Sequence, residues 1–416
     1  MTSANASAAT RRRLLTGIAA TSLVSGCSAL SRMPAVPEAP ACDVTVLGLR
    51  DIRYWGDEAS PQLVQEGFES YQREMAYLKL QGHTGPLPEA DFLAISGGGE
   101  DGAYGAGLLV GWSAAGTRPA FKLVTGISTG ALSAPFAFMG SAYDPQLTKV
   151  YTGITAKDVL SERDFIAILI NDAMADNLPL RNTVSPFIDQ KFLAGIAAEY
   201  NKGRLLFIGT TNLDAGRPVI WNIGKIAASG APGASKLIED ILLASAAIPG
   251  AFPPTMITVE CGGIPHQEMH VDGGASAQVF VYPPAFNLRR FGQASGIART
   301  RKLYVIRNAR LDPDWAQVKR QTLSIAGRAI STLIQTQGIG DLYRLYAVAM
   351  RDGVDFNLAN IPSTFTRTPS MPFDRSYMNA LFKVGYEEAK GGYPWSKFPP
   401  GFDSIEQESV SSDPVT

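Results

Sequence analysis

The chain predicts a layered α/β/α fold around a largely parallel central sheet, and three observations carry that expectation. Short apolar runs recur at 91–96, 121–124, 205–208 and 302–306, with the length and texture of strands buried on both faces. Helix-compatible stretches separate them, at 103–115, 131–138 and 236–247, and alternation of this kind builds parallel strand–helix–strand units. The 416 residues, 45% of them hydrophobic, suffice for one large core with additions.

Taken in order, the chain opens with Arg11-Arg12-Arg13 before an apolar run that ends near Val24. That run is too short to span a bilayer and fits a secretory leader of twin-arginine character over residues 1–26. Its last residues, Leu23-Val24-Ser25-Gly26-Cys27, resemble the cleavage box of bacterial lipoproteins, which makes Cys27 the expected site of lipidation. The expected location is the bacterial cell envelope, with the exported chain anchored to a membrane surface. Residues 27–42 turn rich in proline and alanine after Ser31 and read as a flexible tether. An N-terminal extension over 43–90 contains an amphipathic helix from Pro61 to Leu80, with Leu63, Phe68, Tyr71, Met75 and Leu78 near helical spacing as its packing face.

No later run of 18 apolar residues follows. A net charge of −1 without a marked basic cluster gives no reason to expect nucleic acid as partner. Besides Cys27 only Cys42 and Cys261 remain. An oxidising compartment permits their pairing, while export of an already folded chain leaves it open.

Two glycine-rich segments carry the chemistry. Gly126-Ile127-Ser128-Thr129-Gly130 follows a short apolar strand and precedes small, helix-compatible residues, the context of a serine nucleophile on a sharp strand-to-helix turn. Its glycines permit close backbone approach and unusual dihedrals. Upstream, Ser96-Gly97-Gly98-Gly99-Glu100-Asp101-Gly102 has the same strand-then-helix setting and supplies backbone N–H groups of the kind that stabilise an oxyanion. The same loop matches the Gly-x-Gly-x-x-Gly dinucleotide fingerprint at Gly97, Gly99 and Gly102. That reading requires an acidic residue at the end of the next strand, where the chain has Thr125-Gly126-Ile127-Ser128. Glu100 and Asp101 would also repel a pyrophosphate.

The histidines are His83, His266 and His270. A serine–acid–histidine order would need both partners between Ser128 and His270. His83 and His266 sit beside glycine and proline in expected loops, and with Cys261 they form no metal-ligand spacing. No metal and no cofactor are expected. Immediately after His270 stands Val271-Asp272-Gly273-Gly274, which by itself reads as a turn.

As a set, the glycine-rich loop, the Gly-x-Ser-x-Gly elbow and the later Asp-Gly-Gly resemble the patatin-like phospholipases, a family of lipid acyl hydrolases. Thr210-Thr211-Asn212-Leu213-Asp214-Ala215-Gly216 and the stretch from Ala244 to Pro254 add to the likeness, which runs from about Phe92 to about Arg310. The resemblance implies a catalytic domain over 91–310 and a Ser–Asp dyad without histidine. Ser128 would be the nucleophile and Asp272 its proton acceptor. Gly97, Gly98, Gly99 and Gly102 would form the oxyanion loop, and Gly126 and Gly130 the elbow. It implies a membrane lipid or other acyl ester as substrate, cleaved through an acyl-serine intermediate. A buried carboxylate can accept a hydroxyl proton without imidazole, and burial raises its pKa toward working pH.

One position departs from the family, which usually carries a basic residue where this chain has Asp101. That departure keeps two alternatives in view: a general esterase or thioesterase on soluble acyl groups, and a lipid-binding lipoprotein of the same fold without turnover. His270 lies two residues before Asp272, so on a strand both point to one face; it reads as a polar residue at the sheet rim, with orienting the aspartate or serving as the base as the alternatives. Beyond residue 311 a C-terminal extension looks helical over 318–350 and reads as a cap completing the core, with a lid or acyl-chain groove as the alternative, and a polar tail follows from Ser404.

Overall fold

The computed structural model describes residues 31–38, 44–159, 161–162, 175–176, 178–313 and 315–402. The expected leader, Cys27, Cys42 and the polar tail lie outside the described residues. The fold is α/β with a central sheet covered on both faces by helices, as the sequence predicts.

The sheet has ten strands: β1 Val44–Thr45, β2 Arg53–Trp55, β3 Ala90–Ile95, β4 Leu123–Gly126, β5 Leu205–Asn212, β6 Arg217–Asn222, β7 Thr255–Cys261, β8 Ile264–Asp272, β9 Arg301–Arg307 and β10 Asp355–Asn360. Strands β5, β4, β3, β9 and β10 lie side by side and all parallel. Antiparallel strands extend the sheet beyond β5, with β8, β7 and β1 in one direction and β6 and β2 in the other. The parallel strands carry apolar runs because successive residues enter different cores: Leu93 and Ile95 face one, Phe92 and Ala94 the other.

The helices used below are α1 Pro61–Leu80, α2 Gly102–Ala114, α3 Thr129–Met139, α4 Asp144–Gly153, α5 Gln190–Asn201, α6 Ala234–Ser245, α7 Thr322–Asp352 and α8 Arg375–Lys390. Helix α1 begins with Ser60 accepting from the Leu63 amide and Pro61 in the first turn, a standard start. Its predicted face is only partly the buried one. Leu63 is buried, but Phe68 and Met75 are exposed while Glu66 and Ser70 are enclosed. The polar network decides this: Glu66 accepts from Arg73 (2.6 Å) and the Tyr200 hydroxyl (3.0 Å), so the helix turns its carboxylate inward.

The expected flexible tether also differs. Around Pro34 the chain lies against β8: the Gln267 amide donates to Pro34 O (3.0 Å) and Arg32 pairs with Asp214 (2.8 Å). His266, expected in a loop, stands on β8 and bonds to Ala35 O. Cys261 is disulfide-bonded. Among the described residues no helix is long and apolar enough to cross a membrane.

Register explains how distant residues meet. Along one edge of β5, parallel β4 ends with Gly126 opposite Ile208, while antiparallel β8 arrives from the other end and stops with Asp272 opposite Thr210. The two strand ends abut on a shared neighbour, about 7 Å apart at the strand rise. Whatever follows β4 therefore confronts the last side chain of β8.

Candidate active site

Ile127 and Ser128 are the whole connection between β4 and α3. Ser128 sits at φ 55°, ψ −126°, a backbone state that costs a non-glycine residue roughly 1–3 kcal/mol. The flanking glycines make it attainable. A Cβ on Gly126 would stand 2.4 Å from Gly130 O, and one on Gly130 would stand 2.3 Å from Ile95 O. A brace completes the turn, with the Ser128 amide donating to Ser245 Oγ (3.0 Å) and that hydroxyl donating to Gly209 O (2.7 Å). Ser245, at the end of α6, is a supporting residue that sequence reasoning passed over, although it lies in a stretch that carried the family likeness.

Asp272 is enclosed at the end of β8 and accepts the Gly274 amide at 2.7 Å. The Ser128 side chain faces the same carboxyl group. Burial pushes its pKa up to about 7, although Ser128 and the Gly274 amide pull it down. A carboxyl that titrates near neutrality beside a serine hydroxyl is suited to accepting and returning that proton.

The glycine loop divides its amides. Gly97 N–H donates to Gln278 O (3.0 Å), and Gly102 N–H is taken by the carbonyls of Gly99 and Glu100. Those two of the four expected loop glycines therefore offer no free amide. Gly102 serves packing instead, since a Cβ there would strike Thr129 Oγ1 at 2.1 Å. The amides of Gly98, Gly99 and Thr129 have no acceptor among the described residues.

Their directions are fixed from behind. Asp101 N–H holds Gly98 O (3.0 Å), and Ser96 Oγ (2.7 Å) with Arg307 Nη1 (3.4 Å) holds Gly97 O. In a trans peptide the next N–H points the opposite way, which turns the Gly99 and Gly98 amides outward from those anchors. Thr129 was not singled out by sequence, although the residue after an elbow nucleophile commonly donates there.

Asp101, the departure from the family pattern, accepts the Tyr377 hydroxyl at 2.6 Å and faces Arg307 and Arg310. Burial raises its pKa to about 6. Glu100, raised by burial to about 7, accepts the Asp374 amide at the start of α8 (3.2 Å). Gly99, and neither of these acids, borders the cavity at Ser128. Helix α8 is rigidly placed for this, because it crosses α2 at backbone contact: a Cβ on Gly107 would meet Phe382 O at 2.0 Å.

His270 is corrected from rim to interior. It is fully buried, with Nδ1 on Thr210 Oγ1 (2.9 Å) and Nε2 on Glu268 (3.1 Å). Burial lowers its pKa. Burial works against the Glu268 charge, yet bonds from His270 and Arg53 bring its pKa down to about 2. Those partners hold the imidazole in a structural network around Trp221, since β8 is flanked by strands on both sides. Among the described residues no cluster of three or more His, Cys, Asp or Glu could hold a metal ion.

Ser128 borders a small cavity of about 70 Å³ whose walls are almost wholly apolar, including Leu132, Phe136, Ile154, Val184, Phe192 and Phe252. Phe373 and Met378 close it from the C-terminal segment. Its lining suits a hydrocarbon chain.

Among solved structures, the chain is similar to VipD from Legionella pneumophila (10% identity, TM-score 0.34, covering 74% of this chain and 67% of that one). Human GIVD cytosolic phospholipase A2 matches at 8% identity and TM-score 0.29, over 73% of this chain and 54% of that one. The type III effector protein ExoU matches at 13% identity and TM-score 0.26, over 78% and 59%. No curated protein matches the chain. The family model described as patatin-like phospholipase matches residues 93–284, a span that holds the glycine loop, the elbow and Asp272, and the chain thus carries a domain of the patatin-like phospholipase family.

Proposed function

We propose that the protein hydrolyses carboxylic esters of lipids through an acyl-serine intermediate, with Ser128 as nucleophile and Asp272 as its proton acceptor. Membership of a phospholipase family supports a lipid hydrolase. The observation that carries the finer reading is a strained serine, facing a buried carboxyl of near-neutral pKa, on the border of an apolar cavity. In the first step the Ser128 proton moves to Asp272 as Oγ bonds to the ester carbonyl carbon. The Gly98, Gly99 and Thr129 amides stabilise the oxyanion. Collapse breaks the ester C–O bond, and the departing alcohol takes the proton from Asp272. Water repeats the sequence against the acyl-serine and releases the acid.

Its apolar lining supports the cavity beside Leu132 as the acyl site, so chain length is the test. Replacing Leu132 by Trp is expected to lower the rate on palmitoyl esters at least tenfold while the rate on a butyryl ester of the same alcohol changes little. Equal losses on both would refute the acyl assignment. Micellar phospholipid compared with short soluble esters then separates a lipid hydrolase from a general esterase.

We also infer that the chain is exported and lipidated at Cys27, on the strength of the leader and the box that ends at that residue. Growth with labelled palmitate should mark the wild type and leave Cys27→Ser unlabelled. Equal labelling of both ends this reading.

A further inference from the structure

Helix α7 is two helices in its packing. From Asp341 onward it belongs to the core, with Leu342, Leu345, Val348 and Ala349 buried. Before that it is turned inside out. Between Ser324 and Gln335 the half-buried residues are Ser324, Arg328 and Gln335, spaced to share one face, and Gln335 Nε2 donates to Arg310 O (2.8 Å). The outward side carries Ile325 (53% exposed), Ile330 (50%) and Leu333 (69%), and the segment leading in carries Trp315 (85%). A surface helix normally does the reverse, and contiguous exposed apolar residues mark an interaction site.

Charge selects the partner. From Trp315 to Gly340 the chain has the exposed cations Lys319 and Arg320, with Arg328 on the inner face, and not one Asp or Glu. Apolar residues, a tryptophan and cations without acids are the composition of an element lying in the boundary of an anionic lipid surface. Residues 322–337 would measure about 24 Å, short of the roughly 30 Å hydrocarbon core, so the arm can lie on a bilayer but not span it.

The helix beyond the arm reaches the candidate site. Gln278, whose carbonyl takes the Gly97 amide, donates through its side chain to Gly274 O (2.9 Å) and Gln337 Oε1 (3.4 Å), and through its amide to Asp341 (2.6 Å). One glutamine therefore joins the stretch of α7 just beyond the exposed segment to the Asp-Gly-Gly turn and the oxyanion loop.

We propose that the segment from Trp315 to Leu333 is an interfacial arm that seats on anionic lipid bilayers and sets the site against the surface holding its substrate. The last clause rests on the lipid-hydrolase reading; the binding itself does not. Its test uses the full chain with Cys27→Ser, to remove any lipid anchor, and Ser128→Ala, to prevent turnover. This protein is expected to co-sediment with phosphatidylglycerol/phosphatidylcholine vesicles and to bind pure phosphatidylcholine more weakly. A brominated lipid should quench the fluorescence that Trp315→Phe removes.

Adding Ile330→Glu and Leu333→Glu, both at solvent-exposed positions, should weaken vesicle binding at least tenfold with an unchanged melting temperature. In a Ser128-intact background the same pair should leave hydrolysis of a soluble butyryl ester within twofold. Absence of vesicle binding, or binding indifferent to the two glutamates, overturns the proposal. So does concentration-dependent dimerisation abolished by them, which would make a second copy the occupant. Failure of the catalytic reading shows separately, as soluble-ester hydrolysis that survives Ser128→Ala.

Discussion

Ser128→Ala is expected to reduce ester hydrolysis by about 10⁴-fold or more, the scale on which loss of a covalent nucleophile falls, with no comparable loss of stability. The elbow allows a sharper form of the experiment. Ser128 holds φ 55°, and alanine inherits that strain because it keeps a Cβ. Glycine does not. Ser128→Gly should release roughly 1–3 kcal/mol of backbone strain against about 0.5–1 kcal/mol of added chain entropy. The glycine variant is thus expected to be as inactive as the alanine variant yet the more resistant of the two to denaturant. Equilibrium urea unfolding reads the stability, and initial rates on a soluble butyryl ester read the activity. Retention of more than about a hundredth of the wild-type rate by Ser128→Ala would remove the serine from the mechanism. A glycine variant weaker than the alanine one would mean that the turn is not strained as its dihedrals indicate.

What the sequence discloses is uneven, and the reason is physical. Four of the five parallel strands were legible because burial on both faces writes an apolar run: β5 and β9 contain the predicted segments and β3 and β4 overlap theirs, while β10, broken by Asp355 and Asn357, was passed over. The antiparallel extension was not, because β8 alternates: His266, Glu268 and His270 point inward, and polar residues in a strand read as loop. A signal was nonetheless present. Gly262-Gly263 separates β7 from β8 with φ 59° and 82°, the two-residue turn that hairpins favour. Recognising it would have placed Asp272 at the end of a strand.

For the site, sequence supplied Ser128, Asp272 and the glycine loop. It could not say which amides are free, because Gly97 is occupied by a carbonyl of Gln278, nor that Asp101 is met by Tyr377 from α8. Both depend on segments joined only by the fold. The exposed half of α7 was misjudged as cap for a related reason: periodicity reports which face is apolar and not which way that face turns.

Asp272→Asn is the second large expectation, and it separates chemistry from architecture. Asparagine keeps the oxygen that accepts the Gly274 amide but cannot accept the serine proton, so hydrolysis should fall by about 10³-fold or more. In the wild type, kcat/KM for a soluble ester should rise about tenfold per pH unit below neutrality and level near pH 7, since only the ionised carboxylate serves as base and its pKa stands at about 7. The variant should lose that limb.

Stability should move the other way. Because burial raises the folded-state pKa of Asp272 above its ordinary value, the folded chain retains a proton that the unfolded chain has already released. Wild-type stability attributable to this group therefore declines between about pH 4 and pH 7 and is flat above. The accumulated loss is on the order of 4 kcal/mol. Asparagine carries no charge to bury, so the melting temperature of Asp272→Asn should overtake that of the wild type across this window and hold its lead at pH 8. A lead that is absent at pH 8, or one that shrinks as pH rises, would show that the carboxyl is solvated as an ion in the fold and is no neutral-pH base.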